Sequence, residues 1–374
     1  MNTAFGKFVS GKFFDKLFLL FLLAGTVFMA CAKGSAVRVL TDSPWLSGAV
    51  CVFYLAAGIL ITGQRKISAK MADRNVDLLL GFATCFFIYD FFFLLIWEIL
   101  TGLFHAARSV RAAGAAGTAL LSIVVVAWGY LHAKNIKSVS YSLDLGLGNK
   151  DYHILLISDI HLGAFVRKEQ VRRIVDKINT LAPDLVLIVG DIIDVDHRIL
   201  SDGHALAEIS REFRKIQAKD GVFAVLGNHD PNIEDQRFTN FLRHSQICLL
   251  HNKVIRILGL NIVGRTDSRS NYRVPLKELL KQTDPSRPLI LLDHDSQGIP
   301  EAVRFGADLV LCGHTHKGQF FPVTLFTKWA NGRHYFYGHE TFGKTHAIIS
   351  SGAGFFQLPV RIGTNSEVAD IHLF

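Results

Sequence analysis

The chain changes its hydrophobic pattern near residue 135. Four long apolar stretches precede that point, and each is long enough, or nearly long enough, to cross a bilayer as a helix. After residue 135 the apolar runs are short. The pattern therefore predicts an all-α transmembrane region of about four helices over residues 1–135, followed by a second domain over residues 136–374. The four stretches cover residues 17–32, 46–62, 77–103 and 116–132.

The first apolar stretch has a second interpretation. Lys7, Lys12 and Lys16 precede it, and it ends in Ala-Cys-Ala at residues 30–32. A basic segment, an apolar core and small residues at its end are also typical of a cleaved signal peptide. The three further stretches favour a membrane anchor, and whether the first stretch is cleaved stays open. Both interpretations leave the second domain on the same side of the membrane.

The basic residues around the apolar stretches predict their orientation. The N-terminal segment, the second loop and the start of the second domain hold most of these Lys and Arg residues, while the other loops hold Lys33, Arg38, Arg108 and Arg111. Because loops rich in Lys and Arg stay in the cytoplasm, the second domain is predicted to be cytoplasmic. Asp90 lies in the third stretch, and no cation is expected in the other stretches to pair with it.

The net charge of +8 does not indicate a nucleic-acid partner. Much of the basic excess lies beside the apolar stretches, where Lys and Arg set topology and contact anionic lipid. Three of the five cysteines, Cys31, Cys51 and Cys85, lie within apolar stretches, so no disulfide framework is expected. We therefore expect a membrane-integrated protein with no nucleic acid among its partners, and the sequence leaves its oligomeric state open.

From residue 138 onward, short apolar runs alternate with helical patterns. The segments at 168–182 and 204–218 have apolar residues at helical spacing, and their alternation with buried strands predicts an α/β domain. A second group of strands, near 254–264, 346–350 and 367–374, lacks regular intervening helices and predicts a second mixed sheet packed on the first. Strands of the first group are predicted at residues 153–158, 184–189, 222–227, 288–292 and 308–312.

Clusters of Asp, His and Asn follow these five strands in succession. Any one cluster alone is compatible with a solvated turn, but in open α/β sheets functional sites gather at the carboxyl ends of strands. Five clusters at successive strand ends therefore indicate a shared site. The clusters are Ser-Asp-Ile-His-Leu-Gly at 158–163, Gly-Asp-Ile-Ile-Asp at 190–194, Gly-Asn-His-Asp at 227–230, Leu-Asp-His-Asp at 292–295 and Gly-His-Thr-His at 313–316.

The residue types in these clusters indicate metal binding. Carboxylate, imidazole and amide ligands without a thiolate suit divalent first-row ions. The set exceeds the needs of a single ion, whereas two ions that share a bridging carboxylate would use all of it. Paired ions are a recurrent arrangement for attack on phosphorus. The clusters therefore predict a centre with two metal ions.

These motifs, in this order, resemble the calcineurin-like metallophosphoesterase family over roughly residues 138–374. The Gly-rich tail at 350–373 is similar to the bacterial membrane-associated branch of that family. The resemblance implies a four-layer α/β/β/α sandwich of two mixed sheets, preceded here by the transmembrane region. It also implies a multi-pass protein of the cell inner membrane, with two divalent ions, Mn, Fe or Zn, as cofactors.

The resemblance also implies a role for each motif position. A hydroxide between the two ions would attack phosphorus. His229 would protonate the leaving oxygen or stabilise the transition state, and Asp230 would orient the His229 imidazole. The implied ligands of one ion are Asp159, His161 and His316, those of the other ion are Asn228, His294 and His314, and Asp191 bridges the two ions.

The sequence therefore predicts a membrane-anchored, metal-dependent phosphohydrolase. Because an anchored site meets substrates held in the membrane plane, we expect a phospholipid-like or lipid-linked phosphoester as substrate and partner, with UDP-diacylglucosamine as one concrete version. One alternative is a phosphodiesterase of soluble nucleotides or other small phosphoesters, and another is a non-catalytic metal-binding scaffold. Arg361 is expected to steady the site or a substrate phosphate, or to form a structural ion pair. Other histidines, His197 among them, are expected to serve packing alone.

Overall fold

The computed structural model describes residues 12–374. The chain divides into two compact units, with the division between Trp128 and Gly129. The predicted domain boundary, between residues 135 and 136, stays a prediction. The first unit is helical, and the second contains all the described strands.

Four helices in the described part of the chain are long and apolar enough to cross a membrane. Together with one short helix, they are α1 (Lys12–Thr41), α2 (Pro44–Thr62), α3 (Gln64–Met71), α4 (Arg74–Leu103) and α5 (Arg108–Ala133). The side chains of Ser43 and Asp73 accept backbone hydrogen bonds at the starts of α2 and α4. The four predicted apolar stretches are thus confirmed as helices, and each helix extends beyond its predicted range.

Asp90 in α4 has a cation partner, contrary to the expectation from the sequence. Helix α1 continues to Thr41 instead of ending near residue 32, so Lys33 lies inside a helix rather than in a loop. The Lys33 Nζ atom donates to Asp90 Oδ1 at 2.7 Å, and the Tyr54 hydroxyl donates to Asp90 Oδ2 at 2.7 Å. The Thr118 hydroxyl accepts from Lys33 and donates to Asp90. This buried ion pair therefore joins α1, α2, α4 and α5.

Replacing one partner of the ion pair should destabilise the first unit. Lys33→Met leaves the Asp90 carboxylate buried without its cation, which typically costs about 3–5 kcal/mol. Combining Lys33→Met with Asp90→Leu removes both charges and should cost much less. Thermal unfolding of the full chain in detergent measures both effects. A Lys33→Met variant that unfolds at the wild-type temperature would contradict this account of the ion pair.

The first sheet of the second unit has six strands within the described residues. They are β1 (Ile136–Leu143), β2 (Tyr152–Ile157), β3 (Leu185–Val189), β4 (Val222–Val225), β5 (Cys248–Leu249) and β12 (Ser366–Leu373). The order across the sheet is β1-β12-β2-β3-β4-β5. Only the β12–β2 pair is antiparallel among these neighbours. The sheet is therefore mixed.

The second sheet also has six strands within the described residues. They are β6 (Lys253–Ile257), β7 (Leu260–Gly264), β8 (Leu289–Leu292), β9 (Leu309–Cys312), β10 (Gly338–Phe342) and β11 (Thr345–Ile349). The order across the sheet is β10-β11-β9-β8-β7-β6. The pairs β6–β7 and β10–β11 are antiparallel, and β7, β8, β9 and β11 pair in parallel.

The predicted distribution of strands between the two sheets is wrong in two respects. β8 and β9, predicted with β2, β3 and β4, belong to the second sheet. β12, predicted for the second sheet, lies between β1 and β2 in the first. The physical reason is that these strands are buried on both faces. Burial on both faces removes the alternation of buried and exposed positions, and β12 buries Ser366 and Asp370 as well as apolar residues, so the pattern does not indicate which strands are partners.

Helices cover the outer face of each sheet. Ile174 and Ile209 belong to the core between the first sheet and its helices, and Leu279 and Ala302 to the core between the second sheet and its helices. A third core, which includes Leu187, lies between the sheets. The predicted four-layer α/β/β/α sandwich is therefore confirmed. The helices are α6 (Lys168–Leu181), α7 (Gly203–Phe213), α8 (Gln236–His244), α9 (Leu276–Leu280) and α10 (Ile299–Arg304).

Candidate metal centre

Every predicted metal ligand lies in a loop that directly follows one of five strands, β2, β3, β4, β8 or β9. In chain order the ligands are Asp159, His161, Asp191, Asn228, His294, His314 and His316. Backbone hydrogen bonds join neighbouring loops: Asp159 N donates to Gly190 O at 3.0 Å, and Gly313 N donates to His294 O at 3.0 Å. The carboxyl ends of both sheets thus bring these side chains to one place.

Most of these ligands have an unusual backbone conformation. A positive φ, between 51° and 71°, occurs at Asp159, His161, Asp191, His314 and His316. Each such residue costs roughly 1–2 kcal/mol relative to the right-handed region, because its Cβ crowds the following carbonyl oxygen. Strain of this kind persists where the surroundings enforce it, and it concentrates at functional sites. The loops therefore give up stability to aim these side chains.

Two glycines allow the loops to approach each other. A Cβ atom at Gly227 would overlap Oδ1 of Asp191, and one at Gly313 would overlap Oδ2 of Asp159. Neither glycine has a positive φ, so space rather than backbone conformation requires glycine at both positions. The Gly-Asn-His-Asp and Gly-His-Thr-His motifs thus begin with the residue that lets a carboxylate lie against the backbone.

One predicted ligand group contains Asp159, His161 and His316. One donor atom from each of the three side chains lies within 4.8 Å of the others. The Nε2 atoms of His161 and His316 are 3.0 Å apart, and His316 Nε2 is 3.2 Å from Asp159 Oδ1. The three side chains are buried. This spacing permits all three to bind one ion.

The second group contains Asp191, His294 and His314, whose donor atoms also lie within 4.8 Å of one another. His294 Nε2 is 3.1 Å from Asp191 Oδ2. The Nδ1–H group of His294 donates to Val189 O at 2.7 Å, so Nε2 faces Asp191 and is the nitrogen that would bind an ion once it is deprotonated. Asp191 Oδ2 is also 3.7 Å from His161 Nε2 of the first group. Asp191 therefore lies between the two groups, as a bridging ligand requires.

Four buried polar atoms in this cluster have no hydrogen-bond partner within the described residues. Buried nitrogen and oxygen atoms are normally hydrogen-bonded, and the imidazole and amide groups that carry these four atoms are ligand types suited to divalent ions. The residues therefore fit two divalent ions. The atoms are His161 Nδ1, Asn228 Oδ1, His294 Nε2 and His316 Nδ1.

The electrostatics of the cluster favour cations. Burial raises the pKa of Asp159 to about 6, an effect that the charge on His294 opposes and that on Asp191 reinforces. Burial also lowers the pKa of His161 to about 3 and that of His316 well below its usual value. Neutral imidazoles are the form that binds metal. His294 differs: burial lowers its pKa, but the charges on Asp191 and Asp159 raise it well above its usual value. Divalent cations would compensate the buried carboxylates in place of that protonated imidazole.

His229 lies at the rim of this cluster. Its backbone N–H donates to Asp191 Oδ1 at 2.9 Å, and its ring stacks on Phe356 with centroids 4.8 Å apart. Burial lowers the pKa of the His229 imidazole. Phe356 was not predicted from the sequence as a site residue, although it lies in the Gly-rich tail that indicated the family resemblance. His197 was not predicted as a site residue either; its Nε2 atom lies 2.7 Å from the backbone oxygen of His229.

Asp230 makes contacts other than the predicted one with the His229 ring. Its Oδ1 atom accepts from the N–H groups of Ile192 and Ile193 at 2.8 and 2.9 Å, and its Oδ2 atom accepts from Gly227 N at 2.8 Å. The carboxylate therefore fastens the loop after Asp191 to the turn before Asn228. The turn at residues 227–230 places the Asp230 carboxylate beneath the loop after Asp191, so both of its oxygens accept from backbone N–H groups. The motif alone does not reveal this arrangement.

Arg361 is buried and binds backbone oxygens rather than a carboxylate. Its guanidinium donates to His316 O at 3.0 Å, to Ser351 O at 2.7 Å and to Gly354 O at 2.6 Å. It thus joins the His316 loop to the Gly-rich turn. Of the alternatives raised by the sequence, this contact set favours a residue that steadies the site.

Metal content should depend on the predicted ligands. We expect the wild-type chain to bind two divalent ions and His294→Ala to bind fewer, because the second group loses an imidazole. Elemental analysis of dialysed protein measures this. His204→Ala, which changes an exposed histidine of α7, is the matched control. Wild-type metal content in His294→Ala would argue against the assignment of that ligand.

Asp230→Asn should lower stability as well as metal retention. The amide offers one acceptor oxygen where the carboxylate offers two, so at least one buried backbone N–H loses its partner, at about 1–3 kcal/mol. Denaturant unfolding measures the change, and Asp176→Asn on the exposed face of α6 is the control. If Asp230→Asn lowers activity with no loss of stability, Asp230 acts on His229 as first predicted.

Comparison with known proteins agrees with this geometry. Residues 152–318 match the calcineurin-like phosphoesterase family. An uncharacterized metallophosphoesterase of Helicobacter pylori is 32% identical over 231 residues, which are 60% of this chain and 60% of that protein. The chain thus spans less than two thirds of this relative's length.

Two further relatives match this chain over different fractions of their own length. A Danio rerio transmembrane protein with a metallophosphoesterase domain is 31% identical over 237 residues, 59% of this chain and 52% of that protein. An uncharacterized metallophosphoesterase of Bacillus subtilis is 27% identical over 72% of this chain and 94% of its own length. With the motif order, the fold and the paired ligand groups, these matches confirm the resemblance: residues 152–318 form a calcineurin-like metallophosphoesterase domain.

Proposed function

We propose that this chain is a metal-dependent phosphohydrolase that cleaves phosphodiester or pyrophosphate bonds. The observation that supports this most is the pair of adjacent ligand groups with Asp191 between them. The family match and the buried unpartnered donor atoms point the same way. Each predicted ligand position holds a residue able to bind metal, which favours an enzyme over a scaffold that has lost its ions.

The predicted ligands form two sets, one for each ion. Asp159, His161 and His316 would hold one ion, and Asn228, His294 and His314 the other, with Asp191 shared. Two divalent ions, Mn, Fe or Zn, supply an acidified water and positive charge for the oxygens on phosphorus when bound. The chain itself places these ligands on strained, tightly joined loops, so the site does not need to reorganise during the reaction.

His229 is the proposed general acid. Neither of its ring nitrogens has a hydrogen-bond partner within the described residues, so both are available to a bound ester. The backbone bond to Asp191 and the stacking on Phe356 fix the ring beside the metal groups. From that position a ring N–H donates to the leaving oxygen as the bond to phosphorus breaks. Asp230 and Arg361 support the reaction indirectly, since they position backbone segments of the centre.

We also propose that the enzyme is anchored in the cell inner membrane, with the second unit in the cytoplasm, and that its substrate is lipid-linked. The four apolar helices support the anchor. The placement of Lys33 inside α1 leaves fewer basic residues at the predicted outer ends of the helices, which strengthens the orientation. An anchored centre meets phosphoesters in the membrane plane, with UDP-diacylglucosamine as one version.

Assays on the purified full-length protein with added Mn test the proposal. The substrates are bis(p-nitrophenyl) phosphate, nucleotides, phospholipids and UDP-linked lipids. His229→Ala should retain its metal and lose about 10²- to 10⁴-fold in kcat, whereas Asn228→Ala should lose metal together with activity. His204→Ala is the control.

Three results would change the conclusion. Undiminished turnover by His229→Ala removes it as the general acid. Turnover of nucleotides alone favours the enzyme of soluble phosphoesters over the lipid-linked one. Two bound ions with no turnover of any substrate favour the non-catalytic scaffold.

A further inference from the structure

An exposed apolar surface lies directly after the Gly-His-Thr-His motif. The helix α11 (Val323–Asn331) has no buried residue. Its side chains Leu325, Phe326 and Trp329 are 61%, 51% and 65% exposed, and Phe321, just before the helix, is 52% exposed. Leu325 and Trp329 are four residues apart and Phe326 and Trp329 are three apart, so they share one side of the helix. We call Phe321, Leu325, Phe326 and Trp329 the aromatic face.

Of the charged residue types Lys, Arg, Asp and Glu, only the basic ones occur in the segment 317–339, which contains the aromatic face. Residues 317–339 contain Lys317, Lys328 and Arg333 but neither Asp nor Glu. Lys328 and Arg333 are exposed. Aromatic and aliphatic side chains beside Lys and Arg are typical of a helix that lies in the interface of an anionic bilayer. Tryptophan in particular favours the headgroup level. The chemistry of the surface thus fits lipid.

The chain ties the second unit to helices that are able to cross a membrane. The same chain contains four helices apolar enough to cross a bilayer. Only Lys134 and Asn135 separate the last of them, α5, from β1 of the second unit. A bilayer that holds α5 is therefore a permanent neighbour of the second unit, whereas a second copy or another protein has to be encountered. An exposed apolar patch is costly to leave in water, and the neighbouring bilayer can cover it.

The aromatic face is connected to the metal centre through a short segment. A Cβ atom at Gly318 would overlap the backbone of Thr324, so the first turn of α11 packs tightly against the loop of His316. The side chain of Gln319 donates to Leu358 O at 2.8 Å and accepts from Phe356 N at 2.6 Å. Phe356 in turn stacks on His229. The position of α11 is therefore coupled to a metal ligand and to the proposed general acid.

We propose that α11 and Phe321 form a lipid-binding surface that inserts into the headgroup region of an anionic bilayer and brings the metal centre to phosphoesters in that surface. The lipid contact stands on the exposure and charge of the segment alone. The consequence for substrate choice rests on the proposed phosphohydrolase function.

Lipid contact is tested on the full chain in nanodiscs whose lipids are brominated in the acyl chains, which quench nearby tryptophan fluorescence. Trp45, Trp97 and Trp128 belong to the first unit, so the difference between wild type and Trp329→Phe isolates Trp329. We expect this difference signal to be quenched in nanodiscs of phosphatidylcholine with phosphatidylglycerol, and quenched less in phosphatidylcholine alone. An unquenched signal in the anionic nanodiscs overturns the proposal. A blue-shifted but unquenched signal assigns the surface to a second copy or to another protein and overturns it as well.

Substrate choice is tested with two esters that share one leaving group. Bis(p-nitrophenyl) phosphate is soluble, and phosphatidyl-p-nitrophenol is embedded in the same nanodiscs. Leu325→Ser combined with Phe326→Ser should leave turnover of the soluble ester unchanged and lower turnover of the embedded ester about tenfold or more. Phe374→Ser, at an exposed aromatic residue outside the face, is the control. Equal turnover of both esters by wild type and double variant contradicts the role in substrate choice.

The two tests separate the two proposals. If wild type hydrolyses neither ester while Trp329 is quenched, the proposed function fails and the lipid contact stands. If the double variant loses both activities, it has lost its fold. The quenching of Trp329, measured as the difference between wild type and Trp329→Phe, then decides whether α11 contacts lipid.

Discussion

The buried carboxylates Asp159 and Asp191 are the constraint on which the second unit depends. Both lie at the junction of the two sheets, out of contact with water, and a buried charge is costly unless a partner compensates it. His294 lies near both: its Nε2 atom is 3.9 Å from Asp159 Oδ1 and 3.1 Å from Asp191 Oδ2. Burial lowers the pKa of His294, but the charges on Asp191 and Asp159 raise it well above its usual value, so this imidazole offsets part of their charge in the absence of metal. Burial lowers the pKa of His161 and His316, which offset little. Divalent cations would supply the remaining compensation.

The surrounding chain is organised to maintain this arrangement. Residues with positive φ turn the ligands inward at a cost in backbone energy. Glycines at 227 and 313 leave room for the two carboxylates. Asp230 accepts hydrogen bonds from the loop after Asp191. Arg361 joins the His316 loop to the Gly-rich turn. The loops are thus strained individually but stabilised by one another, which is how a preorganised site is held.

The ligands predicted from the sequence come together in the structure because the evidence for them is local. Each ligand follows a short buried strand, and ligand type and strand end can both be recognised within a few residues. Relations between distant segments were less accessible. The pairing of β12 with β1 and β2 depends on long-range packing between buried strands. The Lys33–Asp90 ion pair depends on the continuation of α1 beyond residue 32 to Thr41. The contacts of Asp230 depend on the conformation of the turn at residues 227–230, which the Gly-Asn-His-Asp motif does not specify.

The aromatic face and the metal centre are linked by chemistry as well as by sequence position. His316 and Gly318 end the metal-binding loop, and α11 begins within a few residues of them. If the four apolar helices anchor the chain in a membrane, the aromatic and basic residues beside the proposed phosphohydrolase site would let it select substrates by location. Such selection would relax the demand on the site itself, because its predicted ligands would be committed to metal binding.

The central claim is that two ions occupy adjacent positions on either side of Asp191. Anomalous diffraction from crystals of the full chain grown with Mn tests it most directly. The account predicts two anomalous peaks about 3.5–4 Å apart, one beside His161 and His316 and the other beside His294 and His314, with Asp191 contacting both. A single peak, or peaks located elsewhere in the second unit, would contradict it.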